Sequence, residues 1–380
     1  MANPLRELEQ LGQSVWYDGL RRAQISSGEL ARMIVEDGLK GLTTNPAIYE
    51  KAIVSTRDYD AELATLFPRA ELDAKAIYEQ LAIHDLQAAA DLLRPVYQAS
   101  QGRDGFVSLE VSPAVAHDAD ASLFEARRLW REVGRQNLMI KVPGTPEALP
   151  VIRQLLADGV NVNVTLLFSR SAWARVAEVH VAALEERRAR GLPVTGVASV
   201  ASFFVSRIDT VADDLLEKIA ARADSDALRR RAEALRGQVA IANAKLAYRD
   251  WQALVATDRW RRLAAAGAQP QRLLWASTSS KNPRYRDVVY VESLIGPETV
   301  DTVPPATFDA FREHGRVEAT LERDVQGAQR TLDELAGLGI SIDEITDRLL
   351  VEGVRLFAEP FAKLLANIEG RRPAERALQA

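Results

Sequence analysis

The chain has 380 residues, of which 47% are apolar and 27% charged, and a net charge of −5. That length can bury a large core as one barrel or two domains, while the negative balance excludes a general binder of nucleic acid or anionic membrane and leaves room for a local basic pocket. No cysteine is present, so disulfides, thiolate catalysis and cysteine metal sites are excluded.

The opening stretch MANPLRELEQ has neither a basic n-region nor an apolar h-region, so no secretory signal is expected. No apolar run reaches membrane-spanning length. A cytoplasmic location is the default expectation.

Short apolar runs alternate with stretches of helical spacing. The runs are 14–17, 41–44, 106–111, 138–142, 160–168, 194–200, 272–276 and 299–303. Helical patterns lie between them, for example at 28–37, 122–133, 171–190 and 209–221. Eight strands alternating with helices predict a parallel α/β sheet. Eight is also the strand count of a closed (β/α)8 TIM barrel, whose active site sits at the C-terminal ends of the strands; a doubly wound open sheet is the alternative. One barrel domain over 1–380 is expected, with extra helices as insertions at about 59–100 and 222–267. The tail, about 307–380, reads as helical and as a cap on the barrel, with breaks at Pro360 and Arg371-Arg372-Pro373.

The strand ends are polar, as a barrel mouth requires. Strand one ends in Asp18 and strand two in Thr43-Thr44-Asn45-Pro46. Strand three carries Glu110 and Ser112. In strand four the run Leu138-Met139-Ile140 ends in Lys141, and Pro143-Gly144 supplies the turn. Strand five alternates polar and apolar residues, so Asn161, Asn163 and Thr165 share one face. Strand six ends in Ser199 and Ser202, and strand seven in Ser277-Thr278-Ser279-Ser280-Lys281.

Lys141 is the most informative of these residues, since only eight lysines stand among the 48 basic residues. A lysine at the end of a buried strand is partly desolvated, which favours the neutral amine. A neutral amine can attack a ketone and form a Schiff base. Lysine, two carboxylates, amides and hydroxyls at one mouth are the set that amine–carbonyl catalysis needs. Each residue also has a plain structural role open to it. Asp18 can cap a turn, and Asn45 before Pro46 can be a turn residue. Glu110 can pair with a buried arginine, Ser277–Ser280 can be helix caps, and Lys141 or Lys281 can reach out to solvent.

Other chemistries find little support. His84, His117, His180 and His314 are scattered, and no HxH or HExxH spacing occurs, so no metal is expected. Neither a phosphate-binding P-loop nor a GxGxxG fingerprint is present, and no cofactor is expected. The few aromatic residues do not interleave with a basic stripe, so single-stranded nucleic acid is not an expected partner.

With these residues in view, the chain resembles the transaldolases, Schiff-base enzymes of the pentose phosphate pathway, in their longer bacterial form. The resemblance rests on Gly41-Leu42-Thr43-Thr44-Asn45-Pro46, Val107-Ser108-Leu109-Glu110-Val111, Leu138-Met139-Ile140-Lys141-Val142-Pro143, Asn161-Val162-Asn163-Val164-Thr165 and Ser202-Phe203-Phe204-Val205-Ser206-Arg207. It implies that Lys141 forms the Schiff base and that Asp18 is the acid/base at the C4 hydroxyl. It implies that Glu110 acts through a water held by Thr165. Asn45 and Asn163 would bind substrate hydroxyls and the carbinolamine. Ser202, Arg207 and Ser277 would bind sugar and phosphate, with Phe204 in the wall. Shorter members carry an arginine after strand seven where this chain has Thr278-Ser279-Ser280-Lys281, so Lys281 is expected to supply that charge. The implied reaction moves a dihydroxyacetone unit from a ketose phosphate to an aldose phosphate. An aldolase releasing free dihydroxyacetone, a non-catalytic sugar-phosphate-binding barrel and a metal-dependent lyase are the alternatives. Monomer and homodimer are both open.

Overall fold

A computed structural model describes residues 3–372. Eight strands run in parallel and close in sequence order, β1-β2-β3-β4-β5-β6-β7-β8. They are β1 Gln13–Asp18, β2 Gly41–Thr43, β3 Phe106–Glu110, β4 Leu138–Pro143, β5 Val162–Leu167, β6 Ser199–Phe204, β7 Arg272–Ala276 and β8 Thr299–Val303. With helices between the strands, this is the (β/α)8 barrel that the alternation predicts.

Side chains of paired residues on parallel neighbours share a face. Glu110 pairs with Lys141, and Lys141 pairs with Asn163. Asp18 pairs with Thr43, and Thr43 with Ser108. Register therefore brings both carboxylates and the lysine to the same interior. Gly41 makes room low in the barrel: a Cβ there would stand 2.6 Å from the Trp16 ring and 2.9 Å from the Phe106 carbonyl oxygen. β5 shifts register between Val164 and Leu167, where Leu166 adopts φ +60°.

The sixth strand differs from the expected 194–200. Val194 and Val197 are buried, but Pro193 lacks an N–H and Gly196 turns the chain at φ +77°. Pairing starts only at Ser199, and the strand runs on to Phe204. The stretch 59–100 holds the helices Asp60–Leu66 and Ala74–Ala99, and 222–267 holds Asp226–Leu235, Val239–Val255 and Asp258–Ala264.

The tail forms helices Pro305–His314, Val325–Gly337 and Ile342–Arg371. Pro360 does not break the last of them. The carbonyl that loses its donor belongs to Leu356, on the exposed side of the helix. The helix ends at Arg371; Pro373, the third residue of the other expected break, lies outside the described residues. This last helix crosses the mouth of the barrel and packs on Pro46–Ser55 and Ala74–Ala99.

The opposite end is sealed. Arg272 is buried and donates to Asp104 Oδ1 at 2.8 Å, to Ser14 Oγ at 2.8 Å and to the Arg103 carbonyl at 2.7 Å. Trp16 Nε1 donates to the same Asp104 carboxylate at 3.2 Å. Removing the guanidinium would strand a buried charge. Arg272→Ala should therefore cost about 3–5 kcal/mol in urea unfolding; a loss below about 1 kcal/mol would mean that Asp104 finds water instead.

Candidate functional site

A cavity of ≈ 240 Å³ opens at the C-terminal ends of the strands. Asp18, Thr43, Asn45, Lys141, Thr165, Ser202, Phe204, Arg207, Ser277 and Lys281 line it. Of the strand-end residues singled out by sequence, Thr44, Ser112, Asn161, Ser199, Thr278 and Ser280 do not line this space, and two of the expected site residues also stand back from it. Glu110 stands behind Lys141, and Asn163 is fully buried beside it.

Lys141 is 4% exposed. Its Nζ donates to the Thr44 carbonyl at 3.2 Å and lies 3.2 Å from Glu110 Oε2. The second contact is a charge contact off the line of a hydrogen bond, and Glu110 Oε2 has no hydrogen-bond partner. Burial raises the Glu110 carboxyl above its ordinary value; Lys141 opposes the rise and Asp18 adds to it. Glu110 is therefore a buried acid paired with a lysine, not with an arginine.

Asp18 accepts from Thr43 Oγ1 at 2.7 Å, and Thr43 in turn meets Thr302 Oγ1 at 2.7 Å. Its carboxyl is also raised by burial, against the pull of Lys141, the Thr43 hydroxyl, Lys281 and Arg207. Two carboxyls are thus held toward the protonated side of their usual range around one amine.

Asn45 has a structural duty as well as a place in the wall: its Oδ1 caps Pro46–Ser55 by accepting from Ile48 N at 3.1 Å. The Asn163 amide is committed to neighbours, donating to Ser108 Oγ at 3.1 Å and accepting from Ser202 Oγ at 2.7 Å. Thr165 Oγ1 is buried without a protein partner. A buried hydroxyl of that kind calls for a water or a ligand.

The cationic wall stands opposite Lys141. Arg207 packs its guanidinium 5.6 Å from the Phe204 ring centroid and keeps Nη1 buried and unpartnered. Burial lowers its pKa from the usual arginine value. Lys281 keeps an exposed side chain at the rim of the cavity and donates to Ser279 Oγ at 2.6 Å; partial desolvation of its amine there, together with the Arg207 charge, lowers its pKa from the usual lysine value. Ser277 holds the turn after β7 at φ +57° and meets Ser206 Oγ at 3.0 Å. A side chain other than glycine there is uncommon and marks a constrained turn.

Sequence reasoning gave no role to Thr43, Thr302, Pro304 or Phe357, all of which line the cavity. Thr302 could have been found from its inward parity on β8. Phe357 carries no such signal, because helical spacing marks it only as a core residue. No group of three or more His, Asp or Glu side chains is gathered for a metal among the described residues, and no described helix is long and apolar enough to cross a membrane.

The fold and the mouth together define a barrel enzyme with a buried lysine, two carboxylates and a cationic wall. The sequence profile described as "Transaldolase/Fructose-6-phosphate aldolase" matches residues 15–368. The chain belongs to that family of enzymes. It is 47% identical over 372 residues to "Transaldolase 2" of Nostoc punctiforme, covering 97% of each chain. It is 44% identical to "Transaldolase" of Trichodesmium erythraeum over 371 residues, again 97% of each. It is 44% identical to "Transaldolase" of Acidothermus cellulolyticus over 378 residues, 99% of this chain and 98% of the other.

The Thr43 hydroxyl stabilises the charged form of Asp18. Thr43→Val should therefore move the Asp18 titration to higher pH, read by carbon-13 NMR of the carboxyl. A shift to lower pH would mean that the hydroxyl does not donate to Asp18.

Proposed function

We propose that the enzyme transfers a dihydroxyacetone unit from a ketose phosphate, sedoheptulose 7-phosphate or fructose 6-phosphate, to an aldose phosphate, glyceraldehyde 3-phosphate or erythrose 4-phosphate. The reaction runs through a Schiff base on Lys141, and its place is the pentose phosphate pathway of the cytoplasm. The observation that carries this reading is the buried Lys141 amine within 3.2 Å of the Glu110 carboxyl, in one cavity with Asp18 and Arg207.

The amine needs to shed a proton before it attacks the ketone, and Glu110 is the nearest carboxyl to receive it. Attack gives a carbinolamine. Loss of water from it gives the imine, with Glu110 and a water held by Thr165 as the proton carriers. Asp18 then takes the proton of the C4 hydroxyl, the C3–C4 bond breaks, and its electrons pass into the iminium to form an enamine. The released aldose leaves. The enamine attacks the incoming aldehyde while Asp18 returns the proton, and water then adds to the new imine so that the C–N bond breaks, the product ketose leaves and the Lys141 amine is restored. Carboxyl values raised by burial above the ordinary range suit both residues to give as well as take protons. Arg207 and Lys281 receive the phosphate, with Ser277 donating beside them. Ser202 and Asn45 bind hydroxyls, Asn163 orients Ser202, and Phe204 backs the Arg207 plane.

An aldolase that releases free dihydroxyacetone is the second reading, since the matched family is described by both activities. The glutamate at position 110 favours transfer.

Borohydride reduction in the presence of fructose 6-phosphate should trap the three-carbon unit on the peptide that carries Lys141. Lys141→Ala should lose both trapping and turnover, and normal trapping in that variant would sink the assignment. Asp18→Ala should keep imine formation and lower cleavage by roughly 10²–10⁴.

The cationic wall has its own test. Arg207→Ala should raise KM for phosphorylated substrates far more than for unphosphorylated analogues, and Lys281→Ala should do so more weakly because an ammonium lacks the guanidinium's fork. Equal losses toward both substrate types would move the phosphate elsewhere.

A further inference from the structure

The last helix reaches the amine itself. The Phe357 ring centroid lies 5.4 Å from Lys141 Nζ, and the ring lines the cavity. No other residue of helix Ile342–Arg371 lines it. Gly353 precedes Phe357 by four residues, so the two share a face of the helix. A Cβ on Gly353 would stand 2.9 Å from Leu166 Cδ2 and 3.5 Å from Phe168 Cε2. Glycine thus lets the helix backbone sit directly on the end of β5. Leu166 is presented there by its φ of +60° inside the register shift. A constrained leucine backbone, a helical glycine against it and an aromatic ring over the amine make one connected device.

The far end of the helix is fastened too. Phe361 meets the Tyr78 ring edge-on at 5.5 Å. Arg371 donates to the Ile53 carbonyl at 3.1 Å and pairs with Asp60.

We propose that Phe357, seated by the Gly353–Leu166 contact, is a specificity-determining residue that keeps water from protonating the enamine held on Lys141 and so sets transfer above release. The inference rests on the imine reading above. Release needs the enamine carbon to take a proton, after which water adds to the imine carbon. The C–N bond then breaks, returning the lysine amine and free dihydroxyacetone. Transfer uses the same enamine but forms a C–C bond with an aldehyde. An apolar ring over Lys141 denies solvent water a proton-delivering approach to the enamine carbon. The water held by Thr165 serves imine hydrolysis in both routes, and the aldehyde keeps the route from the polar side of Arg207 and Ser277. The face of the ring also suits a cationic iminium.

The test measures two products from one intermediate. Dihydroxyacetone release and transfer to erythrose 4-phosphate are followed together in Phe357→Ala, Phe357→Leu and Gly353→Val, with borohydride trapping at Lys141 in each. The ratio of release to transfer should rise about tenfold in Phe357→Ala and in Gly353→Val, which lifts the helix without touching the cavity. Phe357→Leu keeps an apolar cover and should stay near the parent ratio. A purely structural role would lower both products together and leave the ratio unchanged; that result, with trapping intact, overturns the inference. Absence of trapping in the parent enzyme would overturn the imine reading and this one with it, so the two failures are told apart.

Discussion

Closing eight parallel strands into a barrel sends every strand's C-terminal end to the same mouth. This one constraint assembles the site from residues that are far apart in sequence. Asp18 and Lys281 are 263 positions apart and share a cavity. Register does the finer work: Glu110, Lys141 and Asn163 are successive partners across β3, β4 and β5. A slip of one residue in β4 would turn Lys141 out among the helices and put Ile140 or Val142 in its place. The large apolar core that fixes this register is what holds the few polar residues in position.

Burial at the mouth has opposite effects on the two signs of charge. It raises the carboxyls of Asp18 and Glu110 and lowers Arg207 and Lys281. Each group is thereby less firmly charged than it would be in water, and each leans on the others. The chain is acidic overall, yet Arg207 keeps a buried N–H unpaired beside the cavity. That unpaired N–H leaves the wall free to take up a hydrogen-bond acceptor.

Much of this was legible in the sequence because a barrel strand writes its geometry plainly. An apolar run that ends in a polar residue before a turn identifies a mouth residue, as for Asp18 and Lys141, and the period-two alternation of strand five does so for Thr165. Short apolar runs located the strands, except where apolar content meant burial without pairing, as at Val194 and Val197. Asn45 shows that competing readings need not exclude each other, since it caps a helix and lines the cavity at once. What could not be read was which helix returns over the mouth. Phe357 is one of many apolar residues at helical spacing, and its position depends on Gly353 meeting Leu166, a contact between distant segments. Pro360 misled for a related reason: whether a proline breaks a helix depends on whether its orphaned carbonyl faces water or core.

The sealed lower end has a kinetic meaning. Trp16, Arg272, Asp104 and Ser14 fill the barrel below the lysine, so the cavity is a cul-de-sac. Whatever enters from above must leave by the same door, and a departing product clears the passage before the next substrate can take its place. A transferase of this shape is bound to alternate between two half-reactions. An acceptor in large excess would occupy the vestibule of the free enzyme and hold the donor out.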